Sequence, residues 1–210
     1  MTVRPGWEDG RMDAEADDPR AVRSRLALIA AGTELLDAHE FDELSITQVV
    51  AAAGVTRPTF YQHFGDLSEL ARQAVVARLN AEFTRHDPVQ AAPGAAPADW
   101  QERVEPIVRE LLEHLAAHRD FYRRVLHGPR SGSAVDAAVE LVATRILEHS
   151  PLLSGLDDSS SDEVRDSVVI VSGGIVWLLS AWLCTPLTGR DAVPSMAHRV
   201  AVQVIRLARG

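Results

Sequence analysis

Apolar residues recur at three- and four-residue spacings along most of this chain, a period that belongs to amphipathic helices rather than to strands. Leu28, Ala31, Leu35 and Leu36 form the first such stripe, which predicts a helix from residue 19 or 20 to residue 38. A short helix is expected over 46–53, opened by Ser45 and Gln48 as an S-x-x-Q capping box and closed by Gly54 as a left-handed cap. Thr56 can cap a third helix over 57–64, with Pro58 tolerated in its first turn. Gly65-Asp66 breaks the chain, and a longer helix starts at Asp66 or Ser68 and runs to about residue 85. Beyond a Pro/Ala/Gly loop at 87–98, helical patterns resume at 99–118, 120–126 and 133–149. A polar stretch at 150–161 leads to a second capping box, Ser160 with Glu163, which opens an uncharged helix to about residue 184. The last helix covers about 192–208, with Val200, Val204 and Leu207 on one face. Nine helices, no strand-length runs bounded by hairpin signals and no internal repeat make the fold class all-α.

Composition sharpens this picture without changing it. With 210 residues, 46% hydrophobic and 24% charged, the chain suits a soluble globular protein with a sizeable core. The net charge of −9 argues against a protein that coats nucleic acid non-specifically. Much of that excess sits in residues 1–19, an aperiodic arm with Glu8, Asp9, Asp13, Glu15, Asp17 and Asp18, which is expected to be disordered. Specific DNA binding stays open, because it depends on where the donors lie. Every basic side chain apart from histidine is arginine, which reads as coding bias rather than function. Cys184 is the single cysteine, so no intrachain disulfide or CxxC metal site can form; its apolar surroundings suggest a buried thiol. The first twenty residues hold no apolar secretory core, and a cytoplasmic location is the default expectation. Residues 167–189 carry no charge, but Ser172, Gly173, Gly174 and Ser180 dilute the run and Pro186 and Gly189 end it. A helix buried in a core or subunit interface is expected there, and no membrane span.

The chemistry concentrates in residues 45–64, SITQVVAAAGVTRPTFYQHF. Two short helices joined by Ala-Gly-Val-Thr are what a helix-turn-helix needs. Val49, Val50, Val55, Phe60 and Phe64 fall where they would bury the unit against the first helix. Thr47, Thr56, Arg57, Thr59, Tyr61, Gln62 and His63 are left facing outward. Hydroxyls and a tyrosine suit phosphate oxygens; Arg57 and Gln62 have donor geometry for base edges in the major groove. Pro58 and the Thr59 methyl suit contact with thymine methyl groups.

This segment resembles the DNA-binding domain of TetR/AcrR-family regulators. The matching residues are Ala30-Ala31 in the first helix, Ala53-Gly54-Val55-Thr56 at the turn, Thr59-Phe60-Tyr61-Gln62-His63-Phe64 in the recognition helix, and Asp66 after it. The likeness covers about residues 20–79, and residues 173–183 resemble a late helix of many members. It implies a helix-turn-helix domain at 20–65 and a ligand-binding and dimerisation domain at 66–210. It also implies phosphate contacts from Thr47, Thr56, Tyr61 and His63, with Arg57, Pro58, Thr59 and Gln62 nearest the bases. One position departs: Leu67 stands where many members carry a phosphate-binding lysine.

The same resemblance implies partners: double-stranded operator DNA, a small-molecule effector, and a second copy paired through the last two helices. The implied role is that of a repressor released by the effector. Candidate effector contacts are Trp100, Leu111, His114, Leu115, His118, Phe121, Tyr122 and Trp177. His114 and His118 share a helix face, with His127 further on, but no carboxylate or cysteine completes a metal set, so no metal is expected. No cofactor motif is present. The G-x-S-x-G, P-loop, HExxH and Rossmann glycine patterns are absent, which argues against an enzyme. The alternative reading is a helical interaction protein that uses this fold without ligand control.

Overall fold

The protein's structure, a computed structural model, describes residues 18–85, 100–128, 131–149, 162–187, 189 and 191–207. Among the described residues the chain is all-helical and holds no strand. The order is α1 (Pro19–Ala38), a 3-10 turn (Phe41–Glu43), α2 (Ile46–Ala53), α3 (Arg57–His63), α4 (Leu67–Arg85) and α5 (Trp100–Ala117). There follow α6 (Arg119–His127), α7 (Gly132–His149), α8 (Asp162–Cys184) and α9 (Ala192–Leu207). The expected acidic-arm disorder before Asp18, the loop at 87–98 and the Ser160–Glu163 box lie outside the described residues.

Local signals set the front boundaries. The Asp18 side chain accepts from Arg20 N at 2.9 Å, and Pro19 occupies the first turn, where an N–H would have no partner. Ser45 and Gln48 close their capping box: Ser45 Oγ accepts from Gln48 N at 3.3 Å, and Gln48 Oε1 accepts from Ser45 N at 2.9 Å. Gly54 ends α2 at φ 65°, the left-handed conformation that glycine enters without a Cβ penalty. Thr56 caps α3 and Asp66 caps α4, accepting from Glu69 N at 2.9 Å.

Two apolar clusters organise the packing. The smaller joins Leu28 and Ile29 of α1, Val49 and Val50 of α2, Phe60 and Phe64 at α3, and Leu70 of α4. The larger runs from Leu36 and the 3-10 turn's Phe41 through Ala71, Ala74, Val75 and Leu79 of α4 into α5–α9. Helix α4 therefore contributes to both, and Leu35 and Leu67 pack against both.

Helix α8 is long and apolar enough to cross a membrane over Val164–Cys184. In this fold one of its faces (Val168, Ser172, Ile175, Val176, Leu179 and Leu183) is buried in the bundle, next to α6 and α7. Cys184 departs from expectation. It lies at the C-terminal end of α8 with its side chain exposed, because the helix runs out of the core there.

Candidate nucleic-acid interface

The helix-turn-helix is locked from its inner side. Val49 and Phe60 are fully buried, Phe64 nearly so, and all three pack with Leu28 of α1. That fixes the rotation of α3 and decides which of its residues meet solvent. Thr47, Thr56, Arg57, Pro58, Tyr61 and Gln62 are exposed, and Tyr61 has 53% of its surface free although its ring edge rests on Phe60. A half-exposed tyrosine on a seven-residue helix beside a free guanidinium and a carboxamide gives one face with donors for phosphate and for base edges.

Two expected members of that face are held differently. Thr59 is half-buried, with its hydroxyl 2.9 Å from that of Thr56. His63 is half-buried too, and its Nε2 lies 2.8 Å from Ser24 Oγ on α1. Burial and the nearby Arg25 guanidinium push its pKa below the usual imidazole value. His63 thus ties the recognition helix to α1, where the sequence reading had it facing outward to phosphate. Ser24 was missed because its partner lies 39 residues away and no local pattern marks the pair.

Leu67 has a structural reason for replacing a cation. It is half-buried and packs against both apolar clusters, where an ammonium would be stripped of water.

Part of the expected effector set comes together between α4, α5 and α6. His114 Nε2 lies 2.9 Å from the Tyr122 hydroxyl, and its Nδ1 lies 3.1 Å from a carboxylate oxygen of Glu82. The His118 ring is 4.8 Å from that of His114; Phe121 and Tyr122 are fully buried, Leu115 is buried and Leu111 half-buried. Burial lowers the His114 pKa against the opposing pull of Glu82, and burial raises that of Tyr122. Glu82 itself was missed: only 3% exposed, it continues the Val75–Leu79 stripe by one helical step. Trp177 does not join this group. It is 73% exposed on the outer side of α8, away from the other candidate effector contacts. Trp100 begins α5, but its side chain lies outside the described residues. His127 is exposed, and among the described residues no three His, Cys, Asp or Glu side chains are grouped to hold a metal ion.

Residues 28–77 match the family model for bacterial regulatory proteins of the tetR family. No curated protein matches the sequence significantly. Among solved structures, a tetR-family transcriptional regulator from Streptomyces coelicolor shares 18% identity at a TM-score of 0.56, over 89% of this chain and 80% of that one. The regulator RolR in complex with resorcinol shares 17% identity at a TM-score of 0.59, over 90% and 94% of the two chains. A tetR-family regulator from Mesorhizobium loti shares 15% at 0.52, over 90% and 97%. At these identities the structural likeness speaks for the fold, and the family match speaks for the DNA-reading unit. Residues 28–77 thus match the tetR family model, within a chain whose fold resembles solved tetR-family structures.

Proposed function

We propose that the chain is a tetR-type DNA-binding transcriptional regulator and not an enzyme, that it holds a palindromic duplex operator as a homodimer paired through α8 and α9, and that a small-molecule effector releases it, so that it acts as a cytoplasmic repressor. The observation that carries the DNA-binding part is the row Thr47, Thr56, Arg57, Pro58, Tyr61 and Gln62, exposed on a helix pair whose inner face is locked. Pairing is supported by α8: Ile170 and Trp177 are each 73% exposed and Val169 48%, an apolar stripe at helical spacing. Between them, Gly173 and Gly174 leave open space where a second helix can approach closely. A two-fold pair presents its recognition helices about one DNA turn apart, which calls for a pseudo-palindromic site. Effector control is supported by the Glu82–His114–Tyr122 group, polar chemistry in an apolar interior. The resorcinol complex of RolR is an instance of a small ligand in this fold. Such a ligand releases DNA only by binding the released state more tightly than the bound one.

The test is a mobility shift with duplex DNA from upstream of the chain's own coding region at two salt concentrations. Binding should fall steeply with salt. Arg57→Ala and Tyr61→Ala should each weaken it by about 5- to 150-fold, the range for losing one base or well-placed phosphate contact. Full binding by both variants would overturn the assignment of this face.

A further inference from the structure

Two of the three arginines on helix α6 each close the C-terminus of a different helix. At its first residue, Arg119 donates from Nε to the Leu183 carbonyl at 2.6 Å and from Nη2 to the Thr185 carbonyl at 3.0 Å. Those carbonyls lie at the exit of α8. Further along, Arg124 donates from Nη1 to the Leu36 and Asp37 carbonyls at 3.0 and 2.7 Å, and from Nε to Glu40 at 3.0 Å. Those close the last turn of α1. Terminal carbonyls of a helix lack intrahelical donors and carry the negative end of its dipole, so a cation is favoured at both places. The guanidinium suits the task because its planar fork reaches two oxygens at once.

A third arginine braces the second joint. Arg78 of α4 makes two bonds to the Asp37 carboxylate, at 2.8 and 2.7 Å, and its guanidinium lies 4.3 Å from the centre of the Phe121 ring on α6. On the same helix Phe121, Tyr122, Val125 and Leu126 are buried, so α6 is seated along its length.

One short helix thus connects α8, which bears the exposed apolar stripe, to α1, on which the DNA-reading unit is built. We infer that α6 is a strut that fixes the separation of the two recognition helices, with Arg119 and Arg124 as positioning residues for operator half-site spacing. The inference rests on the paired, operator-binding reading above and adds a determinant to it. In a two-fold pair, the distance between the two copies of α3 depends on every joint between α3 and the pairing helix. With α4 alone, the DNA-reading unit has one attachment to swing about. A second attachment through α6 removes that freedom, and the protein then accepts one spacing and rejects its neighbours.

The experiment starts from an operator selected by the full-length wild-type chain out of random duplex DNA. The operator is remade with its half-sites moved one base pair closer and one base pair further apart. Wild type should bind the displaced sites at least about tenfold more weakly, the scale of about 1.4 kcal/mol of misfit. In Arg119→Ala and in Arg124→Ala that ratio should fall below about threefold, while binding to a single half-site stays at the wild-type level. Arg124→Lys keeps the charge without the fork and should relax the ratio part of the way; it serves if the alanine variant does not fold. Leu112→Ala, a buried truncation in α5, should lower the melting temperature and leave the spacing ratio untouched. Unchanged ratios in both arginine positions, with binding retained, would overturn the strut and leave operator binding standing. A wild type that selects no paired half-sites would overturn the operator reading and the strut with it.

Discussion

Glu82 offers a buried carboxylate to two partners, His114 Nδ1 at 3.1 Å and the Arg85 guanidinium at 2.8 Å, and His114 turns its other nitrogen to Tyr122. Burial lowers the His114 pKa more than Glu82 raises it, with His118, Arg78 and Arg85 adding to the lowering. The folded protein therefore resists protonating this ring, while the unfolded chain takes the proton near pH ~6.5. The stability contributed by a neutral His114 is complete above about pH 6.5 and is lost as the pH falls towards the folded value. His63 acts in the same direction and the same window, through burial and Arg25. Asp37 and Glu69, lowered by hydrogen bonds from Arg78 and Arg72, lose their contributions only in the carboxylate range, below about pH 4. The melting temperature should fall between about pH 7.5 and 5.5, and His114→Gln should flatten that slope in part, leaving the share of His63. A variant as pH-sensitive as wild type would remove His114 from the account. At this scale the sequence offered His114 and Tyr122 as candidate effector contacts. It hid Glu82, because a carboxylate ending the Val75–Leu79 row looks like the helix turning to solvent until α5 is seen to cover it.

Between elements, α1 comes close to α4 at Gly32. A Cβ on Gly32 would lie 2.8 Å from Leu70 Cδ2 and 3.0 Å from its Cγ, and Leu70 is only 1% exposed. Gly32→Ala gains about 1 kcal/mol of helix propensity. It meets an overpacking cost of about 1–3 kcal/mol against the buried Leu70 side chain. We expect a net loss of about 1 kcal/mol, read as a lower urea midpoint at unchanged slope; a raised midpoint would contradict the contact. The elements themselves were largely legible where their signals are local, as with Ser45 and Gln48, Gly54 and Thr56. The 3-10 turn at Phe41–Glu43 was not, since it brings Phe41 into a core built by helices far along the chain. The phase of α8 was illegible for a different reason. A mostly apolar helix has no polar face to mark its outside, so the sequence does not show that Trp177, a candidate effector contact, lies with Ile170 on the exposed side, two turns away.

For the molecule as a whole, the exposed row on α8 demands a cover. With the proposed pairing, wild type should give the mass of two chains in light scattering, Trp177→Glu and Ile170→Glu should each give that of one, and operator affinity should fall with the lost pairing. Variants that keep the mass of two chains would move the interface elsewhere. The helix-turn-helix was the most legible part of the molecule, because its caps and turn are set by local residues from Ser45 to Thr56. The bundle behind it offers only a helical period, which many arrangements satisfy, so its packing partners had to be seen.

The double allegiance of α4 bears on how operator preference can be moved from one regulator to another. A reading head severed at the Gly65-Asp66 break would leave behind Leu70, which fills the space between Leu28, Val49 and Phe60, and Leu67, which seals its edge. A graft extended through Leu70 would in turn import a foreign lining for the neighbouring bundle, beginning at Ala71. Whatever seam is chosen, a working transplant has to bring the first turns of α4 along and refit the receiving bundle to them. The stretch of chain that must be inherited together is longer than the stretch proposed to touch DNA.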